Sequence, residues 1–413
     1  MNSLSEANTR FAYDLYQLFR KSTKENIFYS PLSITSALAM VYLGSRKRTA
    51  SEIQKVLHFN EQNKRNHKSS GESQHSSLER ASNIQEGHSL KNVIQSSVEE
   101  SGNVHQQFQK LLTELNKPTD AYKLSLANRL YGDKKFQFFQ EYLDNVKKFY
   151  LASVESADFV NATEETRKMI NSWVESQTNE KIKDLFPKGS LNRSTILVLV
   201  NAIYFKGQWN EKFDPKGTKQ GQFWLNKDTS KVVQMMKQRN MFKFASLEDM
   251  QAKILEIPYK DKDLSMVLLL PNEIDGLQQL EDKLTAEKLI EWTSSRNMSM
   301  RDVHVQLPRF KVEQSFELQA TMKALGMVDA FSSQDADFTG MSGSGELVIS
   351  AMIHKSFVEV TEEGTEAAAA TGIGISTTSA PNYKMFHCDH PFLFLIKHNK
   401  TNSILFFGRF SSP

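Results

Sequence analysis

The middle of the chain contains the run Thr195-Ile196-Leu197-Val198-Leu199-Val200. A short run of apolar, largely β-branched residues is typical of a strand that is buried on both faces. Similar runs occur at residues 264–270, 303–307, 356–360, 392–396 and 404–407. The second half of the chain is therefore predicted to be rich in strands.

The first half has a helical pattern instead. Between Met1 and Lys24 the apolar residues recur at the spacing of an amphipathic helix. Ser30-Pro31-Leu32-Ser33 then supplies a helix start, and Gly44 a stop. Further helices are expected near residues 104–115, 164–185 and 314–326. Helices followed by many strands, without regular alternation, favour the α+β class. We find no internal repeat and no Pro- or Gly-rich linker, so we expect one domain over residues 1–413.

Residues 60–103 interrupt this pattern. They contain no Phe, Trp, Tyr or Pro and are crowded with Ser, Asn, Gln and charged residues. Such a segment cannot bury enough apolar surface to order itself, so we predict a disordered surface insertion between helices. Its basic and acidic residues offset one another, which argues against nucleic acid. A role in binding another protein stays open.

The bulk composition excludes several partners. The 413 residues include 51 basic and 48 acidic ones, a formal net charge of +3, which gives no electrostatic reason to expect nucleic acid or an anionic membrane. No run reaches the roughly 18 apolar residues of a membrane span. A single cysteine, Cys388, cannot form an internal disulfide. The N-terminal segment lacks the uninterrupted apolar core of a signal peptide. We expect a monomer in the cytoplasm, with leaderless release left open.

Signatures of enzymes, metals and cofactors are weak. Residues 340–344 miss the nucleophile-elbow pattern at its last position, and residues 372–374 lack the third glycine of a dinucleotide loop. His387-Cys388-Asp389-His390 suggests a metal cluster, but strand neighbours point to opposite faces and cannot converge on one ion. The expectation is a protein without cofactor or metal that is not an enzyme.

The segment 362–381 is long and consists mostly of small residues. After its acidic start it carries no charge. Its residues alternate with a period of two, which is the signature of a strand. One register holds Thr365, Ala367, Ala369, Thr371, Ile373, Ile375 and Thr377, without a charge; the other holds Glu366, Ala368, Ala370, Gly372, Gly374 and Ser376. Glycines weaken a strand interior, so the segment is able to form a strand without being committed to one.

Several segments together resemble the serpins over essentially the whole chain. The matching segments are residues 26–31, 199–209, 354–360, 362–371, 390–394 and 407–409. The N-terminus and the Ser-Ser-Pro end resemble the intracellular, ovalbumin-like clade (clade B). Residues 1–9 and 171–176 resemble its squamous cell carcinoma antigen subgroup.

This resemblance implies a fold of several helices and three β-sheets, with a reactive-centre loop over residues 362–383. It implies a protease inhibitor whose loop is cut, inserts into the central sheet and keeps the protease in a covalent complex. The implied reactive bond joins Thr378 and Ser379. The implied hinge comprises Glu362, Gly364, Thr365, Glu366, Ala367, Ala368, Ala369, Ala370 and Thr371. The polar and aromatic residues implied beneath the opening sheet (the shutter and the breach) are Ser30, Ser33, Asn201, Trp209 and His354.

The class of target protease stays open at this stage. Residues 365–383 contain no Arg or Lys, which disfavours trypsin-like proteases. A serine protease with a small or apolar first pocket could accept Thr378. A papain-like cysteine protease could cut between Ser376 and Thr377, with Ile375 in its apolar pocket. A non-inhibitory serpin that acts as a binding protein is the alternative, but charged or bulky residues would then be expected in the buried register of the hinge.

Overall fold

The structure of the chain is a computed structural model, which describes residues 3–59, 104–364 and 382–413. The predicted insertion at 60–103 and most of the predicted reactive-centre loop, residues 365–381, lie outside the described residues.

Helices dominate the first part of the chain. They are α1 (Ser3–Ser22), α2 (Pro31–Gly44), α3 (Lys47–Val56), α4 (residues 104–115), α5 (Gln140–Tyr150) and α6 (Thr163–Gln177), followed later by α7 (Leu277–Lys283), α8 (Ala286–Ser294) and α9 (Gln319–Leu325). Helix α2 begins as predicted, because Ser30 accepts a hydrogen bond from the Ser33 N–H and Pro31 occupies the first turn.

A five-stranded sheet has the order β10-β11-β4-β2-β3. Its strands are β2 (Tyr122–Asp133), β3 (Ser153–Ala157), β4 (Leu197–Gly207), β10 (Phe310–Glu317) and β11 (Ile349–Val360). The predicted run at 195–200 lies in β4, the central strand, which is buried along nearly its whole length. Strands β4 and β11 run parallel, whereas β4 pairs antiparallel with β2 and β11 with β10.

A second, nine-stranded sheet has the order β1-β14-β13-β8-β7-β6-β9-β12, with β5 also paired to β6. Its strands are β1 (Ile27–Tyr29), β5 (Lys219–Trp224), β6 (Ser230–Leu247), β7 (Ala252–Pro258), β8 (Leu264–Pro271), β9 (Ser299–Pro308), β12 (Lys384–His387), β13 (Phe392–His398) and β14 (Ser403–Phe410). Two of the three expected sheets are continuous here, because the long strand β6 pairs with β5 and β9 and, at its end, with β7.

The main core lies between the two sheets. Helix α2 packs against β14 on one side and against β2 and β4 on the other, and all of its residues except Tyr42 are buried. A smaller core on the opposite face of β2 and β4 is covered by α6. Strand β4 is therefore buried on both faces, which explains its continuous apolar sequence.

Two expectations about local structure were wrong, and one strand was not predicted. The helix expected at 164–185 ends at Gln177, and residues 314–317 belong to strand β10 rather than to the helix that begins at Gln319. The first half of the chain also contains the long strand β2. The α+β class is nevertheless confirmed. In the part of the chain that the structure describes, none of the helices has the length and apolarity to cross a membrane.

Candidate functional site

The site begins with the line between β4 and β11, which we name the central seam. The pairing extends from Ile349 opposite Leu197 to Glu359 opposite Lys206. Parallel pairing is slightly less stable per residue than antiparallel pairing. The centre of the five-stranded sheet is thus held by its weaker kind of strand pairing.

A cluster of buried polar side chains lies beneath the seam. It consists of Ser30, Ser33, Asn201 and His354, which we name the shutter cluster. His354 of β11 and Asn201 of β4 are register partners, and His354 Nδ1 lies 2.6 Å from Asn201 Oδ1. The Ser33 hydroxyl donates to the same oxygen over 2.9 Å, and Asn201 Nδ2 donates to the Ser33 carbonyl over 3.2 Å. The cluster therefore joins the two strands to helix α2.

The hydrogen bonds determine which nitrogen of His354 carries the proton. The Ser30 backbone N–H can only donate, and it lies 3.0 Å from His354 Nε2, so Nε2 accepts. The proton is therefore on Nδ1, which donates to Asn201. Complete burial lowers the pKa of His354 to about 3, because desolvation penalises the imidazolium form. The ring is neutral at physiological pH.

Trp209 closes the seam at the end where β4 finishes, which we call the upper end, and its side chain is buried. Its indole stacks on Tyr259 with the ring centroids 4.5 Å apart, and its Nε1 donates to the Thr361 carbonyl over 2.7 Å. Its backbone N–H donates to the Glu363 carbonyl over 2.9 Å. The segment that leaves β11 is thus held against the end of β4.

Of the expected hinge, the structure describes Glu362 and Gly364. Glu362 is buried and pairs with Arg309 at 3.3 Å, while its Oε1 has no hydrogen-bond partner among the described residues. Gly364 forms a parallel bridge to Trp209. A Cβ at position 364 would lie 2.6 Å from the Trp209 carbonyl oxygen, so the close approach requires glycine. Beside these residues opens a cavity of about 580 Å³.

The chain leaves the described region at Gly364, four residues after the end of β11, and returns at Asn382, two residues before β12. The loop therefore connects the centre of one sheet to the edge of the other. The expected reactive bond (Thr378, Ser379), the alternative cut (Ile375, Ser376, Thr377) and the hinge from Thr365 to Thr371 lie outside the described residues.

Two contacts of the site were missed in the sequence. The Ser356 hydroxyl donates to the Phe28 carbonyl over 3.1 Å; Ser356 is two residues from His354 on the same strand, so the period of two could have indicated it. The Arg309–Glu362 pair bridges 53 residues of sequence and left no local signal.

Cys388 behaves as a buried apolar residue. Burial raises the pKa of its thiol well above the ordinary value, so the reactive thiolate is disfavoured. Only His387 of the His387–His390 group lies in a strand, because β12 ends there, so the strand argument applied to this group was incomplete. Within residues 3–59, 104–364 and 382–413, His, Cys, Asp and Glu form no group of three able to hold a metal ion.

Two sheets around a buried helix, a parallel central pair and a loop that leaves one strand of that pair define a serpin-type α+β protein. The comparisons agree. The family model described as Serpin (serine protease inhibitor) matches residues 6–413. Human Serpin B3 is 60% identical over 414 residues, which cover 100% of each chain. Human leukocyte elastase inhibitor is 46% identical over 419 residues, again covering 100% of each chain.

Uncleaved ovalbumin has a similar solved structure, with a TM-score of 0.85 and 38% identity, covering 100% of each chain. The chain belongs to the serpin family, and clade B members are among its close relatives. The predicted serpin fold is confirmed, and the family and its inhibitory relatives support protease inhibition.

Proposed function

We propose that the chain is a suicide-substrate protease inhibitor that works by inserting its cut loop into the central seam. The observation that carries the proposal is the parallel β4–β11 pair, with the hinge held at its upper end. A segment that turns back after β11 runs antiparallel to β11 and therefore also antiparallel to β4. Its insertion replaces one parallel pairing by two antiparallel ones, which are more stable per residue.

The length of the loop fits the seam. The thirteen residues Thr365 to Thr377 span about 43 Å as a strand, at roughly 3.3 Å each. Strand β11 has 12 residues, which span about 40 Å at the same rise. The uncharged register of the loop would face the core, where a charge would cost several kcal/mol. The segment is thus suited to become the missing strand.

The formation of the covalent complex needs only the nucleophile of the protease and the reactive-centre loop, which we also call the bait. With a serine protease, the nucleophilic Oγ attacks the carbonyl carbon of Thr378, and the bond to the Ser379 nitrogen breaks. Ser379 leaves as a free amine that takes a proton from the protease, and an acyl bond now joins Thr378 to the enzyme. Insertion of the upstream segment then moves the acylated protease before water can release it. In this mechanism the catalytic groups belong to the protease, and the chain acts as its substrate and inhibitor rather than as an enzyme.

Two protease classes fit the bait: a serine protease with a small or apolar first pocket, and a papain-like cysteine protease that cuts between Ser376 and Thr377. We propose that the inhibitor acts as a single-domain monomer in the cytoplasm, without nucleic acid or membrane partners. The presence of a single cysteine, the buried Cys388, supports the compartment, because secreted domains of this size usually carry several.

The test is incubation with chymotrypsin, pancreatic elastase and a cathepsin-type cysteine protease, followed by denaturing electrophoresis and mass spectrometry. We expect a covalent complex with at least one enzyme and a first cut within residues 375–379. A loop that is cut without any complex would refute the inhibitory mechanism. The non-inhibitory alternative makes a separate prediction. The protein cut in its loop would then have the same melting temperature as the intact protein.

A further inference from the structure

Ser246 lies near the end of strand β6, in a segment that the insertion mechanism does not use. The segment reads Ser246-Leu247-Glu248-Asp249, so carboxylates stand two and three positions after the hydroxyl. Within residues 3–59, 104–364 and 382–413, no other Ser or Thr is followed by acidic residues at both of these positions. Protein kinases select their substrates by such patterns of charge. The segment therefore has the sequence of a substrate for a kinase that recognises acidic residues.

The side chains that such a kinase has to contact are accessible. Ser246, Glu248 and Asp249 are all exposed. Asp249 pairs with Lys288 at 2.8 Å, yet its side chain remains 68% exposed. The hydroxyl and both carboxylates can therefore be reached from solvent without disturbing the core.

The backbone around Ser246 is open along one edge. Strand β9 begins at Ser299, opposite Phe244 of β6, so in the described part of the chain residues 245–247 pair with β7 alone. Unpaired backbone groups at the edge of a sheet can bind an extended partner segment. A kinase can therefore approach this stretch along its open edge while the stretch keeps its strand conformation.

A lysine is directly opposite Ser246. Lys253 is its register partner in the antiparallel pair of β6 and β7, and opposite side chains in such a pair have Cβ atoms about 4.5–5.5 Å apart. Lys253 Nζ donates to the Met385 carbonyl of β12 over 3.3 Å, a long bond to an uncharged acceptor. A phosphate on Ser246 carries about −1.5 to −2 charges at pH 7 and three acceptor oxygens, so it forms the stronger bond with this lysine.

We propose that Ser246 is a phosphorylation site for a serine kinase directed by acidic residues, and that the phosphate draws Lys253 away from β12. The Ser246 Oγ attacks the γ-phosphorus of Mg-bound ATP, the bond from this phosphorus to the β,γ-bridging oxygen breaks, and ADP leaves. The hydroxyl proton passes to the catalytic Asp of the kinase. Strand β12 has four residues and pairs with β9, so the loss of one bond loosens it. The inference does not depend on the proposed inhibitory function.

The test incubates the full chain with casein kinase 2, a kinase directed by acidic residues, and Mg·ATP, and locates the phosphate by tandem mass spectrometry. We expect phosphate on Ser246. Ser97 of the insertion, which is followed by Glu99 and Glu100 at the same two positions, is the internal reference for the activity of the kinase. Glu248→Gln should slow the modification of Ser246 about tenfold, the effect of one lost charged contact, and leave Ser97 unchanged. Phosphate on Ser97 with none on Ser246 would overturn the site.

The effect on β12 is measured by hydrogen–deuterium exchange of residues 384–387. Phosphorylation of the wild type should speed this exchange about fivefold. Lys253→Gln should give a similar increase without phosphate, and its phosphorylation should add little. The matched control is Lys147→Gln, an exposed position on α5, which should respond as the wild type does. Unchanged exchange at β12 in the wild type phosphorylated on Ser246 would overturn the coupling through Lys253. Protease complex formation is assayed separately, so its failure would concern the proposed function alone.

Discussion

Replacing Asn201 by alanine should loosen the central seam. The substitution removes the acceptor shared by the Ser33 hydroxyl and His354 Nδ1–H, and the donor to the Ser33 carbonyl. A buried polar group left without a partner costs about 1–3 kcal/mol. The imidazole N–H is completely buried and cannot turn to water, so we expect a loss of about 3 kcal/mol in the free energy of unfolding of the uncut protein.

This loss converts into a measurable shift. An unfolding entropy of about 2.1 cal/mol/K per residue gives about 0.9 kcal/mol/K for 413 residues. The melting temperature of the intact Asn201→Ala protein should therefore fall by about 3 °C. Because the two central strands are then less firmly joined, inhibitory activity should also decay faster during incubation a few degrees below the melting temperature.

Asn128→Ala is the matched control. Asn128 is the register partner of Asn201 on β2 and is buried too, but its Nδ2 donates only to the weak acceptor Met40 Sδ at 3.3 Å. Its Oδ1 has no hydrogen-bond partner among the described residues. Its replacement should lower the melting temperature by less than about 1 °C. Equal shifts for the two variants in differential scanning fluorimetry would refute the special role of the shutter cluster.

Three further predictions concern the hinge and the buried histidines. Thr365→Arg places a charge in the register that insertion buries, so the stoichiometry of inhibition should rise several-fold in titrations, while Glu366→Arg in the other register should change it little; equal effects would contradict the assigned register. Gly364→Ala brings a Cβ to 2.6 Å from a main-chain oxygen, and we expect a loss of about 1–3 kcal/mol in thermal stability, whereas an unchanged melting curve would show that the hinge is not tightly held. Burial lowers the pKa values of His105 and His354 to about 3, against about 6.5 in the unfolded chain, so the unfolded state binds more protons below pH 6.5. In urea unfolding at pH 7.5, 6 and 5, stability should therefore change little near pH 7.5 and fall as the pH is lowered below 6.5, approaching about 1.4 kcal/mol per pH unit for each of these two histidines. His105→Gln should remove the contribution of one histidine, and an unchanged pH dependence would contradict this account.

The sequence was most informative where burial is uniform. Strands β4, β8, β13 and β14 are buried along nearly their whole length, and their continuous apolar runs were recognised. Strand β6 was missed because its buried residues alternate irregularly with exposed Lys, Gln and Arg, so that neither apolar content nor a clean period marks it. Edge and surface strands depend on their neighbours more than on their own residues.

The resemblance named Ser30, Ser33, Asn201 and His354, and the structure brings them together, but their geometry could not be read from the sequence. His354 and Asn201 are 153 residues apart, and only the register of two strands that are distant in sequence brings them face to face. The position of the His354 proton likewise depends on the Ser30 N–H, which is a feature of the turn before α2 rather than of the strand.

The hydrogen bond between the Ser30 N–H and His354 Nε2 also couples helix α2 to the central seam. Because the cap of α2 and the imidazole of β11 share a hydrogen bond, the strands cannot part without disturbing the first turn of a helix in the middle of the molecule. Substitutions around that turn should therefore change how quickly a captured enzyme is disabled, although they touch neither the bait nor the captive. If the proposed insertion mechanism holds, sequence variation in the interior of the protein would set the rate at which the inhibitor captures its target.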